Sequence, residues 1–172
     1  MPRRLALRAA LLLGLPILAA IAPAPARAQA KPQKLGDFQD WIAASFTEGG
    51  HKTCYAFTRP AKGEGDRKGV MLTVTHRHNA RDTVTISAGT PLRGNEASVT
   101  VGSTDLDFYT AGSTAAARSG AAVVRAFRNG NEAVLKAPAG SKGSISETFS
   151  LAGFSAAYDA ISKECPPGGG KR

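Results

Sequence analysis

Apolar and polar residues alternate in short runs along most of this chain, with turn-forming residues between the runs. In Gly69–His76, Val70, Leu72 and Val74 alternate with Met71, Thr73 and Thr75. That period of two puts successive side chains on opposite faces of a strand. Thr83–Ser87 repeats the pattern with Val84 and Ile86, Ala97–Val101 with Val99 and Val101, and Asp105–Thr110 with Leu106 and Phe108. In the last run Asp105, Asp107 and Tyr109 fall on the opposite face. Trp41–Phe46, Lys52–Arg59, Glu132–Ala137 and Ser144–Phe149 complete the predicted strands. The spacing of roughly eight to fourteen residues, punctuated by Gly, Pro or Asn, predicts a mainly β fold, an antiparallel β-sandwich of barrel-like form. Helical crossovers, which a parallel sheet requires, are missing from the pattern.

Two segments break the alternation. Ala121–Arg128 ends in Asn129-Gly130, a stop signal, and predicts a short mid-chain helix. The closing stretch, Ser144–Cys165, reads as a last strand running into a helix over Ser150–Cys165. Leu151, Phe154, Tyr158, Ile161 and Cys165 fall on one helical stripe. Ser150 is placed to cap the helix start, and Pro166-Pro167 to end it. The opposite face carries Ser155, Asp159 and Lys163 without a basic excess, so the stripe is expected to pack on the sheet and not to lie on a membrane.

The chain start changes the compartment. Arg3, Arg4 and Arg8 precede the apolar run Ala9–Ile21, and Ala26-Arg27-Ala28-Gln29-Ala30 offers small residues for signal peptidase. Residues 1–30 therefore read as a cleaved secretory signal peptide, too short and too proline-rich at its end for a membrane span. Residues 31–36 are expected as a flexible lead-in, 37–165 as one domain and 166–172 as a disordered tail. No transmembrane segment is expected after cleavage, and the protein is expected in the periplasm or outside the cell.

Charge is reread once the leader is removed. Arg3, Arg4, Arg8 and Arg27 leave with it and no acid does, so the formal net charge falls from +9 to +5. Arg77, Arg81, Arg93, Arg118, Arg125 and Arg128 are scattered, not blocked together. An exported protein without a basic–aromatic cluster is not expected to bind nucleic acid. Weak attraction to anionic lipopolysaccharide, phospholipid head groups or anionic glycans is compatible with the charge.

Chemistry-bearing residues are few. Cys54 and Cys165 are the two cysteines, and in an oxidising compartment they are expected to form a disulfide. The alternatives are free thiols or a redox couple, which ordinarily needs close CxxC spacing. His76 and His78 would share a strand face and could share a metal, but His51 offers no motif as a third ligand. They are expected to be solvated at a strand end, with no cofactor or metal. Asp105 and Asp107, beside Tyr109, are the one carboxylate pair with catalytic spacing, and a solvated sheet face is the simpler reading. No GxSxG, GxGxxG or GxxxxGK[ST] motif occurs, and Lys62–Gly65 reads as a charged turn. Glu147 shares a face with Ile145 and Phe149, and if inward must be paired, with Arg77 or Arg81 as partners in reach.

Several stretches together carry a family resemblance. They are Asp40-Trp41, Lys52–Ala56 closing on Arg59-Pro60, Thr75-His76-Arg77, Asp82-Thr83-Val84 leading to Ala88–Pro91, Phe108-Tyr109-Thr110, Ala126–Gly130, and Thr148–Phe154 ending at Cys165. In order and spacing they resemble the invasion-associated locus B family of exported alphaproteobacterial proteins, over essentially the whole mature chain. The chain departs at Thr114-Ala115, where many relatives have an Ala-Trp step, and at Gly89-Thr90-Pro91, where Gly-Tyr-Pro is common.

The resemblance implies an exported all-β domain and supplies no catalytic residues. The expected function is non-catalytic: binding, or an envelope-associated role with a link to host-cell interaction or invasion. The partner is an unidentified protein or an envelope or host-surface component. A glycan- or lipid-binding adhesion factor is the alternative. An envelope-glycan enzyme using Asp105 and Asp107 is the third reading.

Overall fold

A computed structural model describes residues 31–63, 68–140 and 143–168. The predicted signal peptide, most of the charged turn after Gly63 and the last four residues lie outside the described residues. The strands are β1 (Gln33–Phe38), β2 (Trp41–Glu48), β3 (His51–Thr58), β4 (Lys62–Gly63), β5 (Val70–His76), β6 (Thr83–Ala88), β7 (Glu96–Val101), β8 (Thr104–Ala111), β9 (Thr114–Ala117), β10 (Glu132–Ala139) and β11 (Gly143–Ser150). Helix α1 (Gly120–Asn129) sits between β9 and β10, and α2 (Phe154–Glu164) closes the fold. All pairings are antiparallel, in the order β1-β2-β3-β5-β6-β9-β8-β7-β10-β11-β4.

The barrel-like antiparallel form expected from strand spacing is present, with its strands in one continuous curled sheet. The sheet's two ends approach without closing. β4, two residues after β3 turns out of the ladder at Arg59-Pro60, pairs with β11. From the other side the Trp41 indole donates to the Ser150 carbonyl at 3.0 Å, and Asp40 N–H donates to the Ala152 carbonyl at 3.3 Å.

The alternation places the core as predicted. Val70, Leu72, Val74, Val84, Ile86, Val99, Leu106, Phe108, Leu135 and Phe149 are all buried in one apolar cluster. Helix α2 caps it against β1, β2 and β3, with Phe154, Ala157 and Ile161 buried. Phe154 is edge-on to Trp41, with ring centroids 4.9 Å apart, and edge-on to Phe127 of α1 at 5.3 Å. Three aromatic rings from three distant stretches thus meet under the last helix, where their large apolar area is removed from water.

Three boundaries differ from expectation. The lead-in is not flexible: Gln33–Phe38 form β1, and Leu35 and Phe38 pack against the core. Only two apolar side chains in that segment reach the interior, too few for an alternating signal. Ser150 is not the cap of α2; it ends β11, and its hydroxyl accepts from Ala152 N–H at 3.2 Å. The helix begins after Gly153, at φ 88, where an added Cβ would sit 1.9 Å from the Phe38 carbonyl oxygen. Glycine is required there twice over, by the left-handed backbone and by the close approach of the β1–β2 turn. Finally, β9 was not anticipated, because TAAA carries no alternation. Ala115 is nonetheless fully buried between β6 and β8.

Among the described residues no helix is long and apolar enough to cross a membrane.

Candidate functional site

The structure joins Cys54 of β3 to Cys165 at the end of α2 in a disulfide, with Cα atoms 6.0 Å apart and a sequence separation of 111. Around this bond lies a buried polar network. His76 is the direct register partner of Cys54 across the β3–β5 ladder. Its ring is fully buried, so the expectation of a solvated strand-end histidine is corrected. The cause is α2, which covers the end of β5 and is not visible in the local pattern around His76.

Both ring nitrogens of His76 are occupied. Nδ1 accepts from the Asp82 backbone N–H at 3.3 Å, and Nε2 lies 3.2 Å from the Ser162 hydroxyl. A backbone amide can only donate, so Nδ1 is the acceptor nitrogen and Nε2 carries the proton. Burial holds the His76 pKa down at about 4, helped by the Arg81 charge and partly offset by Asp82. Arg81 donates to the Cys165 carbonyl at 2.6 Å and reaches the Ser162 hydroxyl at 3.5 Å. The Tyr158 hydroxyl donates to the Asp82 carboxylate at 2.7 Å, and its pKa is raised by burial and by that bond. Asp82 itself is held at φ 52, and its carbonyl lies so close to Gly120 that an added Cβ there would sit at 1.6 Å.

Asp82, His76 and Ser162 superficially resemble a nucleophile–base–acid series, but the proton sits on the wrong side. A general base for Ser162 needs Nε2 free to accept, with Nδ1–H donating to a carboxylate. Here Nε2 donates and Nδ1 accepts from an amide. The network therefore fixes α2 to β3 and β5.

The other candidate residues lie away from this network. His78 separates from His76 and stacks on His51, with ring centroids 3.9 Å apart, at the exposed surface. Among the described residues no group of three or more His, Cys, Asp or Glu is placed to hold a metal. Asp105, Asp107 and Tyr109 do lie on the outer face of β8, opposite Leu106 and Phe108. Asp105 lines a broad groove of about 1090 Å³ between the β7–β8 turn and the end of α1, with Glu132, Arg125 and Asn131. Asp107 and Tyr109 do not line it; Tyr109 stands 42% exposed, with the Arg118 guanidinium 5.8 Å from its ring. Glu147 does point inward and is 1% exposed. Of the two arginines named for it, Arg81 donates to the end of α2 and Arg77 is exposed.

The feature missed in the sequence is on the outer face of β2 and β3. Tyr55 and Phe57 alternate with the buried Cys54 and Ala56 and so point outward. Phe46 and Ile42 of β2 share that face, opposite Thr53 and Phe57 in register. The rings form a row, Phe46 to Tyr55 at 5.8 Å and Tyr55 to Phe57 at 5.9 Å. Each ring is half-buried, and together they cover Ala44 and Thr53 on the same face. Met71 and Thr73 of β5 extend the surface. The row runs into a small pocket of about 270 Å³ at the unclosed seam, lined by Asp40, Ile42, Phe57, Arg59, Pro60 and Ser150 among others. The period-two signal was legible, but which face would be covered depends on the curl of the sheet.

Comparison with known proteins agrees with this architecture. The family described as "Invasion associated locus B (IalB) protein" matches residues 41–162. The chain belongs to the invasion associated locus B family. The matched span runs from Trp41 to Ser162 in α2, and so holds the aromatic cluster and the side chains of the buried network, stopping short of Cys165. A solved structure described as invasion associated protein B from Bartonella henselae superposes with a TM-score of 0.57 at 15% identity, covering 75% of this chain and 95% of that one. At that identity the likeness speaks for the fold shared within the invasion associated locus B family. No curated protein matches this chain.

Proposed function

We propose that this protein is exported through its N-terminal leader and acts in the cell envelope or outside it as a non-catalytic binding domain. The observation that carries this is the aromatic row Phe46–Tyr55–Phe57 on the outer face of β2–β3. Rings of this size are ordinarily buried, and a contiguous row left half-open on a sheet face marks a contact surface. The disulfide supports the compartment, since structural disulfides persist in oxidising environments. The tautomer of His76, and a groove that takes in Asp105 but neither Asp107 nor Tyr109, favour binding over catalysis. The family name of the Bartonella protein adds host-cell interaction as the setting in which such a surface would be used.

Cosedimentation with purified envelope vesicles, with and without added lipopolysaccharide, tests the reading. Association of the wild type that is lost in Tyr55→Ser/Phe57→Ser supports it. Association that is absent, or unaffected by those changes, refutes it.

A further inference from the structure

The seam pocket is built from stretches that the resemblance picked out for no local reason. Asp40, Arg59-Pro60 and Ser150, from three such stretches far apart in sequence, line it. Its backbone is anchored: the Thr58 hydroxyl donates to the Asp40 carbonyl at 2.6 Å, and the Trp41 indole to the Ser150 carbonyl at 3.0 Å. A site fixed in this way loses little conformational freedom when it is filled.

Its lining has three chemical parts. Ile42, Phe57 and Pro60 give apolar walls. Arg59, an exposed member of the lining, carries a planar fork of donors that matches a carboxylate or phosphate. Asp40 and Ser150 complete the polar part of the lining. The volume of about 270 Å³ is below the usual range for drug-sized ligands, roughly 300–1000 Å³, and suits one ring. The outer aromatic row continues from Phe57, so a chain leaving the pocket would run over Tyr55 and Phe46.

We propose that this pocket binds a single acidic sugar residue, a pyranose bearing a carboxylate or phosphate, at the end or along the length of an envelope glycan. Arg59 takes the anionic group, Phe57, Ile42 and Pro60 lie against the C–H face of the ring, and Asp40 accepts from ring hydroxyls. The positive net charge of the chain favours approach of such a polymer. This inference rests on the envelope-binding reading and names its ligand class.

Calorimetric titration of the disulfide-intact protein tests it with three probes: a glucuronic acid-containing tetrasaccharide, glucose 6-phosphate and neutral maltotetraose. Saturable binding of either acidic probe, and not of maltotetraose, is expected, and which acidic probe binds separates carboxylate from phosphate. Arg59→Gln should weaken it by about tenfold or more, the scale of one charge-assisted hydrogen bond. Arg93→Gln, at an exposed arginine outside the pocket, should change it less than about twofold. An unchanged thermal midpoint certifies both variants as folded. Absence of binding by both acidic probes, equal binding of all three, or equal effects of the two substitutions overturns the proposal. Envelope association without acidic-sugar binding removes this inference and leaves the broader reading standing. Acidic-sugar binding without envelope association does the reverse.

Discussion

Cys54 and His76 face each other across the β3–β5 ladder, so the disulfide and the buried imidazole hold the same helix from adjacent strands. Each has a separate chemical sensitivity.

The imidazole responds to pH. Its folded-state pKa of about 4 lies below the ordinary value of 6.5, so the unfolded chain takes up the proton first. Stability contributed by neutral His76 is complete above pH 6.5 and is lost as pH falls towards about 4. The loss is on the order of 3 kcal/mol, from about 1.4 kcal/mol for each unit of displacement. Groups facing His76 in this window are Asp82, Arg81, Tyr158 and Ser162. Urea unfolding at a series of pH values should show the decline, and His76→Gln should be less stable at neutral pH and flatter across the window. An equally steep decline in the variant contradicts the assignment.

The disulfide responds to reductant. Removing both sulfurs with Cys54→Ala/Cys165→Ala should cost about 2–5 kcal/mol, chiefly by freeing the unfolded chain from a long loop constraint. Arg81 still donates to the Cys165 backbone carbonyl and Lys52 still pairs with Glu164, so α2 should remain docked. Circular dichroism should therefore show native helix content at a lowered midpoint. Alkylation with intact-mass analysis should label no thiol before reduction and two after.

Gly153 tests the helix start. Gly153→Ala places a methyl against the Phe38 carbonyl in a left-handed backbone. Strain and steric displacement together predict a loss of about 2–4 kcal/mol. Gly168→Ala, also at positive φ but with open space around it, should cost far less. Thermal melts of the two variants give the comparison, and equal effects would mean that the β1–β2 turn does not press on α2.

Trp41 holds the seam. Trp41→Phe keeps the ring under Phe154 but deletes the donor to the Ser150 carbonyl. Loss of a hydrogen bond to a part-buried acceptor predicts a cost of about 0.5–1.5 kcal/mol. Chemical denaturation measures it. A neutral result would show the indole to be a packing group alone.

These relationships also mark where the sequence was legible. Strands with a clean period of two, such as Val70–His76 and Thr104–Ala111, and the mid-chain helix were readable because one face packs and the other does not. The pairing of Cys54 with Cys165 was readable because the chain has two cysteines and its start reads as an export leader. What escaped depends on tertiary covering. β1 has two core-facing side chains, β9 is nearly all alanine, and His76 is buried by a helix that starts 78 residues later in the chain. The outer aromatic row is half-visible in the sequence: Tyr55 and Phe57 alternate with Cys54 and Ala56, but their joining with Phe46 and with Arg59 at a seam needs the register of β2 on β3.

Chemical-shift mapping on isotope-labelled protein mixed with envelope glycan tests the central claim most directly, that this fold works by binding through the outer face of β2–β3. The account predicts shifts clustered at Ile42, Phe46, Tyr55, Phe57 and Arg59. Shifts clustered instead around Asp105, Arg125 and Glu132 in the opposing groove, or none at saturating glycan, would contradict it.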